Sequence, residues 1–387
     1  MYRRLSKLSM LNSFFLFGPR GCGKTTLIHE KFRDVDHLWI DFLNLDNELR
    51  YKGRPELLVQ EYRGLKEKPK WIVIDEVQKV PQILDVVHRL IEEEKVKFAL
   101  TGSSARKLKR AQANLLAGRA FSFSLSSLSY LELGPDFDLE VSLNFGTLPK
   151  LFSVELEKEE DKKRYLKSYV STYLREEIIV EQLVRNIEPF HRFLEVAAQM
   201  NGEIINYSKL GREANVTDKS VSRYFEILSD TLMGYLLPAY HKSVRKQQIE
   251  SPRFYFFDTG VIRAIRNDLK YPVNPKTYDY GKLFESFIIM EIVKQNEYFE
   301  ADFKLYYLKT KDGAEIDLIV EDKRKTFLIE IKSKKVDSKE DLVSLCNLSS
   351  SFKNSRSLVL CMNEKSIQID GNVTAMNWKD GISLIFT

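Results

Sequence analysis

Residues 18–25 read Gly-Pro-Arg-Gly-Cys-Gly-Lys-Thr, and few octapeptides restrict a fold so tightly. The spacing G-x-x-x-x-G-K-[ST] functions only where a strand delivers the chain into the loop and a helix leads it out. Phe14 to Phe17 supplies an apolar strand directly before it. Glycines at this spacing let backbone N–H groups wrap phosphates at a helix N-terminus, where the peptide dipoles favour negative charge. Lys24 then reaches the β and γ phosphates, and Thr25 offers its hydroxyl to magnesium. Gly18, Pro19, Arg20, Gly21, Cys22, Gly23 and Thr26 complete the expected nucleotide-binding set, with ATP and Mg2+ as its ligands. Because Cys22 lies inside the loop, thiol alkylation is expected to block nucleotide turnover.

Residues 71–76, Trp-Ile-Val-Ile-Asp-Glu, form an apolar strand ending in two acids. In register with the loop, Asp75 is the expected magnesium carboxylate and Glu76 the group that polarises the attacking water. The strand Lys97 to Leu100 runs into Thr101-Gly102-Ser103-Ser104, which sets Ser103 as a polar sensor beside the γ phosphate or leaves an ordinary turn. Leu116-Ala117-Gly118-Arg119 presents Arg119 on a small-residue turn, either as a finger for a neighbouring subunit's nucleotide or as a surface charge. Up to about Phe152 short apolar runs alternate with helical patterns, the sequence form of an α/β domain on a mainly parallel sheet. With 387 residues, two or three domains are expected.

Charge excludes little. Lys plus Arg number 60 against 55 Asp plus Glu, so any nucleic-acid contact must come from local patches. Cys22, Cys346 and Cys361 are widely separated and lack zinc-ligand spacing, which fits a reducing cytoplasm. Arg3, Arg4 and Lys7 precede the run Leu11 to Phe17 without a small-residue cleavage site, so it reads as a buried first strand rather than a leader. No stretch approaches a membrane span, and no membrane partner is expected.

The charged run Glu155 to Arg164 opens a helical section and reads as a solvated face. Tyr207 to Ala214, a break at Asn215-Val216, and Thr217-Asp218 capping Lys219 to Thr231 have the length of a helix-turn-helix. Ser220, Arg223 and Tyr224 sit early on its second helix, where residues of such motifs reach a DNA groove. Tyr235 to Tyr240 and Arg253 to Phe257 can pair as a wing with Lys242, Arg245 and Lys246 at its tip, suited to phosphates or to a protein partner. A second basic cluster, Arg106, Lys107, Lys109 and Arg110, faces DNA, a neighbouring subunit or water.

From about Ser251 the pattern changes to a helix near Lys282 to Lys294 and then three strands, Lys304 to Leu308, Glu315 to Glu321 and Thr326 to Lys332. Lys311-Asp312-Gly313 carries the Asp-Gly pair of tight hairpins. In the last strand Leu328, Glu330 and Lys332 share a face by alternation, as a surface ion pair or as part of a site. If its hairpin neighbour brings Asp317 to that face, two carboxylates make a magnesium site. Glu285, early on the preceding helix, can add a third.

The loop at 18–25, Asp75-Glu76-Val77-Gln78-Lys79-Val80-Pro81, Thr101-Gly102-Ser103-Ser104 and Leu116-Ala117-Gly118-Arg119 together resemble the AAA+ ATPases of a large bacterial and archaeal family of the DUF4143 type. There the ATPase precedes a winged helix and a C-terminal PD-(D/E)XK nuclease-like domain. The resemblance implies a P-loop ATPase domain over 1–152, a helical and winged-helix section over 153–250, and an α/β restriction-endonuclease-like domain over 251–387. It implies a homo-oligomer, in some arrangements a ring, acting on branched or double-stranded DNA. Arg175 is the candidate second sensor arginine. Glu285, Asp317, Glu330 and Lys332 match the nuclease pattern, although no Asp directly follows a Pro. Asp317 and Glu330 would then hold Mg2+ or Mn2+, and Lys332 would orient water or neutralise the phosphorane. An ATPase whose nuclease fold grips DNA without cutting it is the alternative.

Overall fold

The computed structural model describes residues 2–103, 116, 118–172, 187–241, 250–323, 325–352 and 354–387. Arg106, Lys107, Lys109, Arg110, Arg175, Lys242, Arg245 and Lys246 lie outside the described residues.

The first compact unit is formed mainly by residues 1–128. It holds strands β1 (Ser13–Phe17), β2 (His37–Asp41), β3 (Trp71–Asp75), β4 (Lys97–Gly102) and β5 (Ala120–Ser124) in the order β2-β3-β4-β1-β5. Every pair in it is parallel. Such a sheet is covered on both faces, so its strands carry continuous apolar runs rather than alternation with polar residues. Phe15, Phe17, Ile72, Ile74, Phe98 and Leu100 pack into one core layer. Phe14, Leu16, Trp71, Val73 and Ala99 pack into the opposite one. Phe17 pairs with Gly102 and Ile74 with Leu100, so the segments after β1, β3 and β4 leave from one edge. Ligands of open parallel sheets bind at that carboxyl edge. Arg119 lies elsewhere: it precedes Ala120, which pairs with Ser13 at the start of β1, so it sits at the opposite end of the sheet from its own phosphate loop.

The second unit contains helices Glu159–Thr172, Ile187–Gln199, Tyr207–Ala214 and most of Asp218–Asp230, followed by an antiparallel pair, β6 (Gly234–Leu237) and β7 (Arg253–Phe256). Asn215, left-handed at φ 55°, ends the first helix of the expected helix-turn-helix. Thr217 Oγ1 accepts from Ser220 N at 3.2 Å at the start of the second. Its core is aromatic: Tyr224 lies 5.1 Å by ring centroid from both Phe190 and Phe193. Tyr224 is therefore a packing residue and not one presented to a groove.

The same unit ends in helix Tyr278–Tyr298 and strands β8 (Lys304–Lys309), β9 (Glu315–Glu321), β10 (Thr326–Ile331), β11 (Ser355–Cys361), β12 (Ile367–Asp370) and β13 (Val373–Asn377). The sheet order is β12-β13-β11-β10-β9-β8. β8, β9 and β10 run antiparallel, whereas β10, β11 and β13 run parallel. Thr310 and Ala314 close the β8–β9 hairpin, with Gly313 at φ 84°, a conformation that costs an L residue appreciably more than glycine.

The segment Ser129–Thr147 packs into this second unit and not with the first, where the boundary at 152 would put it. Two buried carboxylates explain this. Glu291 accepts from Ser129 Oγ at 2.6 Å and Tyr130 N at 3.2 Å, with Lys294 Nζ at 3.0 Å. Asp258 accepts from Thr147 N at 2.7 Å. A buried charge stripped of its partners is strongly destabilising. Glu291→Ala should lower the urea-denaturation stability of the protein by about 3–5 kcal/mol, and a loss below about 1 kcal/mol would contradict this role.

Candidate active sites

The first site is built at the carboxyl edge of the parallel sheet. Gly21 and Gly23 have φ of 75° and 93°, which turns the chain into helix Lys24–Lys31. Gly18 has no room for a side chain, since a Cβ there would come within 2.2 Å of Leu125 O. Lys24, almost fully buried, donates from Nζ to Gly18 O at 2.8 Å and Pro19 O at 3.2 Å. Thr25 Oγ1 donates to Asp75 Oδ2 at 2.8 Å, and Thr101 Oγ1 donates to Asp75 Oδ1. The hydroxyl and carboxylate that would share a magnesium ion thus already touch. Glu76 follows in a left-handed conformation, φ 58°, and its backbone N–H donates to Thr101 Oγ1 at 3.2 Å. Gln78 Nε2 donates to the Glu76 carboxylate and, at 3.0 Å, to Ser103 Oγ. Arg20 and Gly21 on the loop and Thr26 in the first turn of the helix are exposed.

One expectation changes here. Cys22 is fully buried, and burial pushes its thiol above the usual range. A thiol held protonated and out of solvent is a poor nucleophile, so alkylation of the folded protein should be slow rather than inhibitory. Arg119 donates from Nε to Glu92, and that hydrogen bond holds the Glu92 carboxyl below the usual carboxylate range. Sequence reasoning also passed over Arg4, which donates to Cys22 O at 2.6 Å and Ser126 O at 2.7 Å and so braces the loop. No spacing rule marks an arginine that far before the motif.

The second site lies on the terminal sheet. β9 and β10 pair Leu328 with Ile319 and Ile329 with Leu318, and continuing that register sets Glu330 across from Asp317. A cavity of about 400 Å³ is lined by both, together with Lys282, Glu285, Glu315 and Lys332. Asp317 Oδ2 accepts from Ile331 N at 2.9 Å. Glu330 Oε1 accepts from Lys332 Nζ at 2.7 Å, whereas its Oε2 is buried with no hydrogen-bond partner. Burial, and then the neighbouring Glu330 and Glu285, push the Asp317 carboxyl well above the usual range. Burial raises Glu330 too, against the pull of Lys332.

Glu285 is already occupied. It accepts from Tyr255 OH at 2.8 Å and Lys282 Nζ at 3.3 Å, with Arg253 Nη1 at 3.6 Å. Arg253 in turn binds Glu315 and stacks over Tyr307. Arg253, Tyr255 and Glu315 were not singled out from sequence; Glu315 alone was legible, two residues before Asp317 on the same strand face. Among the described residues no group of three or more His, Cys, Asp or Glu side chains is gathered as a ready metal cage. A cation would have to be held by the Asp317 and Glu330 pair. An orphaned buried carboxylate oxygen and mutually repelling acids fit such a cation, because a divalent charge relieves both.

Of the DNA-facing candidates within the described residues, Arg223 is exposed, and the Ser220 hydroxyl is engaged with Thr217 Oγ1 at 3.0 Å. No helix is long and apolar enough to cross a membrane among the described residues.

A parallel sheet, a phosphate loop on a helix N-terminus and a Thr–Asp pair beneath it define an AAA-type, P-loop ATPase-like domain. Residues 12–134 match the family described as an AAA domain, 136–270 a domain of unknown function (DUF8612), and 280–380 another (DUF4143). An uncharacterized protein of Mycobacterium tuberculosis is 27% identical over 322 residues, spanning 82% of this chain and 69% of its own length. One of Haemophilus influenzae is 18% identical over 387 residues, spanning 95% and 86%. The solved DNA clamp loader delta protein of Bacillus subtilis aligns over 72% of this chain and 95% of its own at 11% identity, with a TM-score of 0.21, too low to define a shared fold.

Each site yields a test. Lys24→Ala should abolish ATP binding, whereas Glu76→Gln should bind ATP and turn it over about 10²-fold more slowly; equal loss of binding in both would defeat the assignment. The folded protein holds the Asp317 proton more tightly than the unfolded chain does. Its cost to stability therefore grows as pH rises from the ordinary carboxylate range through the raised folded value. Asp317→Asn should raise the metal-free melting temperature at neutral pH by a few degrees and remove any further rise on adding Mn2+. A lower melting temperature would contradict the reading.

Proposed function

We propose that the chain is an ATP-dependent, DNA-acting nuclease, hydrolysing ATP at the phosphate loop and phosphodiesters at Asp317 and Glu330. One observation carries the second half: two half-buried carboxylates on neighbouring antiparallel strands, one with a buried, unpartnered oxygen, share an open cavity with Lys332. The order of helix, three antiparallel strands, helix and a strand parallel to the third supports a restriction-endonuclease-like fold. A magnesium or manganese ion held there would activate water and stabilise the leaving oxygen. The chain's own contribution is to keep Asp317 oriented by the Ile331 N–H, to hold Lys332 beside Glu330, and to anchor Glu285 as a support behind them.

ATP at the first site would set the arrangement of an oligomer, open or ring-shaped. Arg119 lies too far along the sheet to serve its own nucleotide, which supports action on a neighbour's after release from Glu92. The helix-turn-helix and the β6–β7 pair support a winged-helix contact to branched or double-stranded DNA through Arg223. A second reading, a nucleotide-switched DNA binder that does not cut, is favoured by the full engagement of Glu285.

Labelled linear, forked and four-way DNA incubated with Mg2+ or Mn2+, with and without ATP, separates them. Cleavage should be lost in Asp317→Asn and Glu330→Gln, and Lys332→Ala should bind DNA yet cut at least about 10²-fold more slowly. ATP-dependent binding without nicking of any substrate would establish the second reading.

A further inference from the structure

Gln78 stands on the 3-10 turn Val77–Lys79 that follows β3 and is 3% exposed. A primary amide has two N–H donors, and both are spent here, one on the Glu76 carboxylate and one on Ser103 Oγ. Its Oε1 is buried without a partner, against Gly102, where a Cβ would approach it to 2.6 Å. Turning the amide over would set that oxygen against the carboxylate, acceptor to acceptor, so the orientation is dictated by Glu76. Leucine or methionine would fill the same space without an orphaned acceptor, which is costly when buried. The side chain is therefore kept for what its nitrogen does.

Glu76 is located from both ends. Thr101 on β4 takes its backbone N–H, and Gln78 takes its carboxylate. The second Gln78 bond runs to Ser103, at the end of that same β4. Glutamate at a left-handed backbone position has rotamer freedom that neither the helix nor the sheet removes. Holding a general base within hydrogen-bond reach of its water is where much of its effect arises.

We propose that Gln78 is a positioning residue for ATP hydrolysis, whose amide clamps the Glu76 carboxylate to Ser103 so that base and sensor move as one unit. This rests on the ATPase reading. In the step itself water adds to the γ phosphorus, the bond from that phosphorus to the ADP oxygen breaks, and Glu76 accepts the water's proton, giving ADP and phosphate. Gln78 touches none of the reacting atoms.

The test measures steady-state ATP hydrolysis and ATP affinity on the full chain. Gln78→Met should lower kcat by about ten- to a hundredfold with Kd for ATP within about twofold and melting temperature little changed. Gln78→Glu, which keeps the shape but sets a second acceptor against Glu76, should lose as much and serves should the methionine variant fail to fold. A merely structural glutamine would act independently of Glu76, so the double variant decides: Glu76→Gln with Gln78→Met should be no slower than Glu76→Gln alone. Unchanged kcat in Gln78→Met, a matching fall in ATP affinity, or losses that multiply in the double variant would overturn the clamp. Absence of hydrolysis by the wild-type chain would overturn the ATPase reading and the clamp together.

Discussion

The buried carboxylate of Asp75 ties the first site together. Its two oxygens accept from Thr25 on the loop helix and Thr101 on β4, so one side chain at the end of β3 joins the three elements that must surround a nucleotide. A buried carboxylate is tolerable only when its oxygens are satisfied, and this one is satisfied by two threonine hydroxyls from the neighbouring elements. The apolar layers on both faces of the sheet hold β1, β3 and β4 in register, and that register brings Asp75, Thr25 and Thr101 within reach.

The terminal sheet works by the opposite principle. Asp317 and Glu330 are brought together without full compensation, and the imbalance is visible as raised carboxyls and an unpartnered oxygen. Holding two acids side by side in this way opposes folding. Arg253, Tyr255 and Lys282 spread the remaining charge by binding Glu315 and Glu285. The result is an acidic pair with a basic rim inside one cavity.

Much of this was legible because the signals were periodic or local. The loop at 18–25, the apolar run into Asp75 and the alternation that puts Glu330 and Lys332 on one face each follow from strand and helix geometry. What sequence could not convey depended on distant pairing. Glu291 and Asp258 draw Ser129–Thr147 into the second unit through contacts more than a hundred residues away, and no local pattern announces them. Tyr224 read as a groove residue because its helix position suited one, yet Phe190 and Phe193 claim it for the core. Glu285 read as a third, supporting carboxylate, and only the fold shows Tyr255 and Lys282 bonded to it with Arg253 alongside. The glutamine after Asp75-Glu76 was in plain view, but only the fold reveals that its amide reaches Ser103.

The central claim is that one chain carries two independent cation sites, one completed by nucleotide and one not. Anomalous diffraction from crystals grown with Mn2+ and a non-hydrolysable ATP analogue measures this directly. The account predicts two manganese peaks, one beside Thr25, Asp75 and the phosphates, and one between Asp317 and Glu330 that persists when the analogue is left out. A single peak at the nucleotide, with Lys332 and Glu330 still paired and no metal beside Asp317, would contradict it.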